Sequence, residues 1–331
     1  MYQSKILGLG SHHPERVLSN ADLEKMVDTN DAWITERTGI KERRISDPKK
    51  AEFPTDLAHQ AALKALAQAR TSVDEIELII YSSNTPEHLL PNSAIELQQK
   101  LGIKHQCGAF DLVAACSGFV YGLTLANSLI ATGTYKKILV VGTEMLSSLV
   151  NWKDRGTCIL FGDGSGVAVV GRASATDRSK ILATHLGADG AGKCSLWIPL
   201  GGCKAPLTKD NVDSPERYIT MVGGDIFKWA VRTLGNSALK VLETANKKIE
   251  DVDWFIPHQA NLRIIQATAN RLNIPMEKVL VNIERFGNTS AATIPTAMDE
   301  AIQQGKIKRG DLLLLDAFGA GLTYGAILLE Y

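Results

Sequence analysis

At 331 residues, 45% of them hydrophobic and 22% charged, the chain is long enough for about two domain-sized units and a substantial core. Lys plus Arg equals Asp plus Glu, 36 against 36, which argues against nucleic acid or an anionic membrane as the principal partner. Five cysteines (107, 116, 158, 194 and 203) form no close pair, and neither a hydrophobic leader nor metal-ligand spacing is visible. A soluble, cytoplasmic protein with reduced thiols and no bound metal is the expectation.

In chain order, a strand is expected at KILGLG (5–10), and His12–His13 reads as surface decoration. Asn20 ahead of Asp22 and Glu24 reads as a helix start, because acids suit the first turn. The basic run KERRISDPKK (41–50) reads as a solvated face, close enough to DAWITERTG to help hold an anion. A helix at 54–70, a strand at IELIIYSS (76–83) and a helix at 92–101 follow. Next come a strand at AFDLVAA (109–115), a helix at 117–133, and strands at KKILVVG (136–142) and SGVAVVG (165–171). GDGSG (162–166) carries no reactive side chain and reads as tight turn and close packing. The second half offers helices at 223–246, 260–272 and 290–304, with strands at 253–257, 278–283, 311–319 and 325–331. Alternation of this kind favours an α/β layer fold.

The order of elements repeats. Cys116 lies 25 residues before Val141, and Asn288 lies 25 before Leu313. Ile79 precedes Cys116 by 37 residues, and Phe255 precedes Asn288 by 33. Two duplicated halves facing one another would put Cys116 and Asn288 at equivalent strand-to-helix turns, although they are 172 residues apart.

Cys116, in FDLVAACSGF, stands at the start of a helix among small neighbours. Unpaired N–H groups there favour a thiolate, so a lowered thiol pKa is expected. His258 follows an apolar strand in DWFIPHQANLR, and Asn288 sits in RFGNTSAA. Singly, the histidine reads as a satisfied core residue and Gly-Asn as ordinary turn chemistry. Together the three are the parts needed for acyl transfer through a thioester. DAFGAGLTYG (316–325) is a glycine-rich strand end able to offer an N–H to an oxyanion.

On these segments, with DRGTCILFGDGSG (154–166) and PHQANLRII (257–265), the chain resembles the β-ketoacyl-acyl carrier protein synthase III family across nearly its whole length. A Cys–His–Asn set separates that family from thiolases and from elongating condensing enzymes. The resemblance implies a thiolase-like layered α/β sandwich of two duplicated βαβαβαββ halves, 1–172 and 173–331, in a homodimer. It implies that acyl-CoA acylates Cys116, and that malonyl on an acyl carrier protein then loses carbon dioxide and condenses, with no cofactor. His258 and Asn288 would hydrogen-bond the thioester oxygen and stabilise the enolate, and the N–H groups of Cys116 and Ala320 would form the oxyanion hole. Trp33, Arg37 and Arg155 match adenine-contacting positions, and Thr38, Gly156, Phe227 and Asn261 match the pantetheine tunnel. Gln259, Ala260, Asn261, Leu262 and Arg263 match a carrier-protein contact that Lys228 and Arg271 would extend. A residue near Leu90 would reach across the dimer to floor the acyl pocket.

Replacing His258 or Asn288 is expected to hurt decarboxylation more than acylation, if the helix terminus suffices to make the thiolate. Competing readings are a relative recruited to quinolone or polyketide priming, with the same trio and another acyl donor, and a papain-like thiol hydrolase. A hydrolase has no need of the HQANLR and GNTSAA contexts. Against a non-catalytic carrier-binding scaffold stands the intact trio.

Overall fold

A computed structural model describes residues 1–174 and 176–331. Its first half runs β1 (Ser4–His12), β2 (Val17–Ser19), α1 (Asn20–Leu23), α2 (Asp31–Thr38), β3 (Glu42–Arg44) and α3 (Pro54–Ala69). It continues through β4 (Leu78–Ser82), α4 (Ser93–Lys100), β5 (Gly108–Leu112), α5 (Gly118–Ala131), β6 (Lys137–Met145) and β7 (Asp163–Arg172). The second half holds β8 (Lys180–Ala188), β9 (Leu196–Trp197), β10 (Thr220–Met221), α6 (Gly223–Thr244), β11 (Trp254–Pro257) and α7 (Leu262–Arg271). It ends with α8 (Ile283–Phe286), α9 (Thr293–Gln303), β12 (Leu312–Gly319) and β13 (Thr323–Glu330).

Two sheets organise these elements, ordered β1-β7-β6-β4-β5 and β11-β12-β13-β8. In the first, β5 and β6 run parallel to β4, and β7 and β1 close it antiparallel. The second repeats the pattern, with β11 parallel to β12, and β13 and β8 antiparallel. A large apolar cluster joins both sheets through α5 and α9, which lie between them. Helices α3 and α4 cover the outside of the first sheet, and α6 and α7 the outside of the second. The chain is therefore a layered α/β sandwich. Burial of every residue from Thr293 to Asp299 fits the central layer, since a helix between two sheets has no solvent face. Among the described residues, no helix is long and apolar enough to cross a membrane.

One expected strand is missing. Residues 278–283 make a single parallel bridge, Val279 to Phe255, in the place β5 occupies in the first half. The Gln259 side chain takes the ladder's place there. It donates to the Leu280 carbonyl at 3.1 Å and accepts from the Asn282 N–H at 3.2 Å, satisfying backbone groups a strand partner would have used. The sequence patterns also passed over α2 and β8. Of the basic run, Arg43 is wholly buried, donating to the carbonyls of Leu18 and Ile159 and to Asn20 Oδ1. It ties loops together rather than facing solvent. His13 is packed in too, its ring stacked 3.9 Å from Phe286.

Candidate active site

Strand β5 delivers the chain into a 3₁₀ turn, Ala115–Ser117, that carries Cys116 directly before α5. Ala115 adopts a left-handed φ of 48°, which sharpens the turn. Gly118 is required by space: a Cβ there would lie 1.8 Å from Ser82 Oγ. From the second half, Gly319 abuts the turn, where a Cβ would come 2.6 Å from the Cys116 nitrogen. The Ala114 carbonyl accepts from the hydroxyls of Ser117 at 2.7 Å and Thr323 at 2.9 Å, pinning the Cys116 turn to β13.

The thiol itself departs from expectation. Burial pushes the Cys116 thiol up to about 12, outweighing hydrogen bonds from Ser290 and the backbone that favour the thiolate. Desolvation of a charged sulfur dominates the helix terminus here. A free thiolate is therefore not the resting state near neutral pH.

His258 extends β11, and its N–H donates to the Asp316 carbonyl at 2.8 Å. The ring is 3% exposed, and burial holds its pKa down to about 3, so the imidazole is neutral. Its Nδ1 lies 2.7 Å from the Thr293 hydroxyl, which also reaches the Ser290 carbonyl at 3.0 Å. Nε2 is the ring nitrogen left for substrate. Asn288 follows Gly287, whose φ of 64° lets the chain turn out of α8. The Asn288 Oδ1 accepts from the Ser290 N–H at 2.8 Å, which leaves its Nδ2 donors free.

Cys116, His258 and Asn288 line one cavity of about 600 Å³, together with Phe318 and Gly319. Its lining also includes Trp33, Arg37, Thr38, Gly156, Phe227 and Asn261, the six positions matched to coenzyme contacts that the structure brings to it. Arg155 stands beside this wall. Its guanidinium lies 5.3 Å from the Trp33 ring, with Arg37 at 4.6 Å, and it pairs with Asp28 at 3.1 Å. Ala320 follows Gly319 and is not among the residues in the left-handed region, so its Cβ is accommodated.

The expected carrier-protein positions divide. Lys228 and Arg263 are exposed and line the cavity with partly buried Ala260, and the Arg263 guanidinium lies 5.8 Å from the Phe227 ring. Arg271 is exposed and bonds Asn236 on α6. Leu262 packs into an apolar cluster instead. Gln259 is fully buried and committed to the backbone groups already described, so its side chain cannot meet a partner.

Ser290 and Thr293 escaped the sequence patterns. Ser290 has a left-handed φ of 51° in a 3₁₀ turn (Ser290–Ala292), where a continuous helix from 290 was expected. The signal available was a serine two positions after Asn288.

The family model described as 3-Oxoacyl-[acyl-carrier-protein (ACP)] synthase III matches residues 110–190, and its C-terminal counterpart matches residues 242–331. A β-ketoacyl-[acyl-carrier-protein] synthase III of Clostridioides difficile (strain 630) is 48% identical over 326 residues, 98% of each chain. The crystal structure of 3-oxoacyl-[acyl-carrier-protein] synthase III from Aquifex aeolicus VF5 superposes with a TM-score of 0.91 at 49% identity, covering 99% of this chain and 100% of that one. A priming β-ketosynthase from the R1128 polyketide biosynthetic pathway gives a TM-score of 0.90 at 35% identity, covering 99% and 96%. The chain belongs to the 3-oxoacyl-[acyl-carrier-protein] synthase III family.

Proposed function

We propose that this chain is an initiating condensing enzyme of type II fatty acid synthesis, an acyltransferase that forms 3-oxoacyl-carrier protein. The observation that carries the reading is that Cys116, His258 and Asn288 meet on one cavity whose outer wall holds Trp33 and Arg37. An acyl-CoA, acetyl-CoA as the expected donor, transfers its acyl group to Cys116 and leaves as CoA. Malonyl on an acyl carrier protein then enters and loses carbon dioxide. Asn288 Nδ2 donates to the thioester oxygen. When the Thr293 hydroxyl turns its single proton from the Ser290 carbonyl to Nδ1, neutral His258 donates through Nε2 to the same oxygen, stabilising the enolate. The enolate carbon attacks the acyl-Cys116 carbonyl, and the N–H groups of Cys116 and Ala320 receive the tetrahedral oxyanion. No cofactor enters these steps.

Adenine would stack by Trp33 between Arg37 and Arg155, since an indole flanked by guanidinium groups suits a purine face. Exposed Lys228, Arg263 and Arg271 form a positive surface suited to an acidic carrier protein. A cytoplasmic homodimer of two-halved chains, divided near 172, completes the reading. Leu89 and Leu90, 93% and 88% exposed, are apolar side chains that a second copy would cover.

A priming enzyme of a secondary-metabolite pathway is the second reading, favoured by the likeness to the R1128 ketosynthase. Intact mass after mixing with a panel of acyl-CoAs, followed by malonyl-carrier protein, separates the two. An acetyl adduct on Cys116 discharged as 3-oxoacyl product supports initiation. An adduct only with aromatic or long donors supports priming, and free acid without malonyl would point to a hydrolase.

A further inference from the structure

Arg43, the central residue of β3, is a wholly buried cation that the proposed chemistry leaves unused. Its Nη1 donates to the Leu18 carbonyl at 3.2 Å and to Asn20 Oδ1 at 2.9 Å, and its Nη2 donates to the Ile159 carbonyl at 2.6 Å. All three acceptors are neutral. Asn20 passes the contact on, its Nδ2 donating to Asp31 Oδ1 at 2.8 Å. Burying a guanidinium among neutral groups costs free energy that an apolar side chain of similar volume would not incur. What only the guanidinium supplies is reach, because its planar fork of donors holds acceptors on separate segments at once.

The segment held by Nη2 is the one that seats Asn288. Both main-chain groups of Asn288 bond to it. The Asn288 N–H donates to the Leu160 carbonyl at 2.8 Å, and the Gly162 N–H donates to the Asn288 carbonyl at 3.0 Å. Phe161 and Asn288 thereby form an isolated parallel bridge. The stem of Arg43 packs beside this bridge: a Cβ on Gly162 would lie 3.2 Å from Arg43 Cβ, and one on Gly287 would lie 3.3 Å from the same atom. Lys41, just ahead of β3, donates its N–H to the Glu284 carbonyl of α8 at 3.0 Å, which holds the approach to Asn288 from the other side.

We propose that Arg43 is a positioning residue for the condensation. By fixing the Ile159 carbonyl it keeps residues 159–162 in register with Asn288, and so sets where the free carboxamide Nδ2 stands in the cavity. This rests on the reading of Asn288 as a donor to the malonyl thioester oxygen. The route is short and hydrogen-bonded: Arg43 Nη2 to the Ile159 carbonyl, one residue along to the Leu160 carbonyl, then across to the Asn288 N–H. The Asn288 side chain has one tether of its own, the bond from the Ser290 N–H to Oδ1, so the main chain decides the rest. Small displacements matter here, because an enolate is stabilised only by donors already at hydrogen-bond distance. Lysine is not equivalent, since one ammonium cannot serve acceptors around both ends of a fork. Cys116 is off this route, its turn being pinned to β13 instead.

The test is a double-mutant cycle read on two half-reactions. Intact mass follows acetyl uptake on Cys116 from acetyl-CoA and counts the chains that react. Carbon dioxide release from malonyl-carrier protein, scaled to that count, gives decarboxylation per competent site. Arg43→Lys should slow release on the order of 10- to 100-fold and change the rate of acetyl uptake by less than about threefold. Asn288→Ala should slow release as well, and adding Arg43→Lys to it should cost nothing more, because the donor being positioned is gone. A merely structural role would slow both half-reactions alike, or would exact its full penalty in the Asn288→Ala background, and either result overturns the proposal. Should Arg43→Lys not fold, Asn20→Ala keeps Arg43 and removes one of its acceptors, with an expected loss in release of about threefold. An unchanged rate there overturns the proposal too. If Asn288→Ala itself leaves release intact, the role given to Asn288 falls and the proposal with it, whereas a loss in Asn288→Ala with none in Arg43→Lys overturns the proposal alone.

Discussion

The N–H of Ser290 donates to Asn288 Oδ1 at 2.8 Å, and this one bond decides which end of the Asn288 carboxamide is free to meet a substrate. Asn288→Asp keeps the shape and the bond from Ser290 but removes the donors and adds a negative charge beside the developing enolate. Condensation should fall by about 10²–10³, the range for loss of one oxyanion donor. Cys116 should still take up an acyl group. Carbon dioxide release from malonyl-carrier protein, set against the intact mass of the acyl-enzyme, checks both halves.

Thr293 has no partner role that an apolar residue can fill. Thr293→Val leaves His258 Nδ1 buried without its 2.7 Å partner. The expected stability loss is about 1–3 kcal/mol, the cost of an unsatisfied buried polar group. Decarboxylation should suffer beyond that loss, because the ring nitrogen facing substrate is no longer specified. Thr293→Ser should behave like the parent in both denaturant unfolding and single-turnover decarboxylation. Equal losses in the two variants would remove the hydroxyl from the account.

Acid should destabilise the fold through two histidines. Burial holds both His13 and His258 at about 3, against 6.5 for an ordinary imidazole. Between those values the unfolded chain binds the protons and the folded chain does not. Their contribution to stability is therefore full above about pH 6.5 and is lost as pH falls toward 3. His13→Phe retains an aromatic ring against Phe286 and removes one of these protons. Its unfolding midpoint should fall less steeply between pH 6.5 and 4 than the parent's, as followed by chemical denaturation.

Trp33, with Arg37 and Arg155 near its ring, belongs to binding rather than to chemistry in the proposed scheme. Trp33→Ala should raise KM for acyl-CoA by about 10-fold, matching a loss of roughly 1–2 kcal/mol of stacking and cation–π energy, with kcat little changed. An acyl-pantetheine donor, which lacks the nucleotide, should show no such penalty. A matching rise in KM with acyl-pantetheine would detach Trp33 from adenine recognition. Steady-state kinetics on the two donors settles it.

Much of this protein is written locally. Apolar runs and their flanks mark β1, β4, β6, β7, β12 and β13 within a few residues, because side-chain periodicity and turn chemistry are properties of neighbouring positions. The repeated spacing around Cys116 and Asn288 likewise foreshadows two sheets of matching strand order. Where a local pattern failed, a distant side chain had intervened. KVLVNI has strand composition, yet Gln259 occupies the hydrogen bonds a ladder needs. Arg43 sits in a charged run, yet carbonyls from Leu18 and Ile159 draw it inside.

The acidity of Cys116 belongs wholly to the tertiary structure. A helix start can be read from sequence, and it argues for a thiolate. Desolvation of the sulfur comes when the opposite half closes on it, with Gly319 abutting the Cys116 turn, and it reverses the sign. The three residues that meet in the cavity were legible in three short segments. Which protonation states they hold, and which end of each is left free, was decided by burial and by the partners Thr293 and Ser290, because both exist only once the two halves have closed on one another.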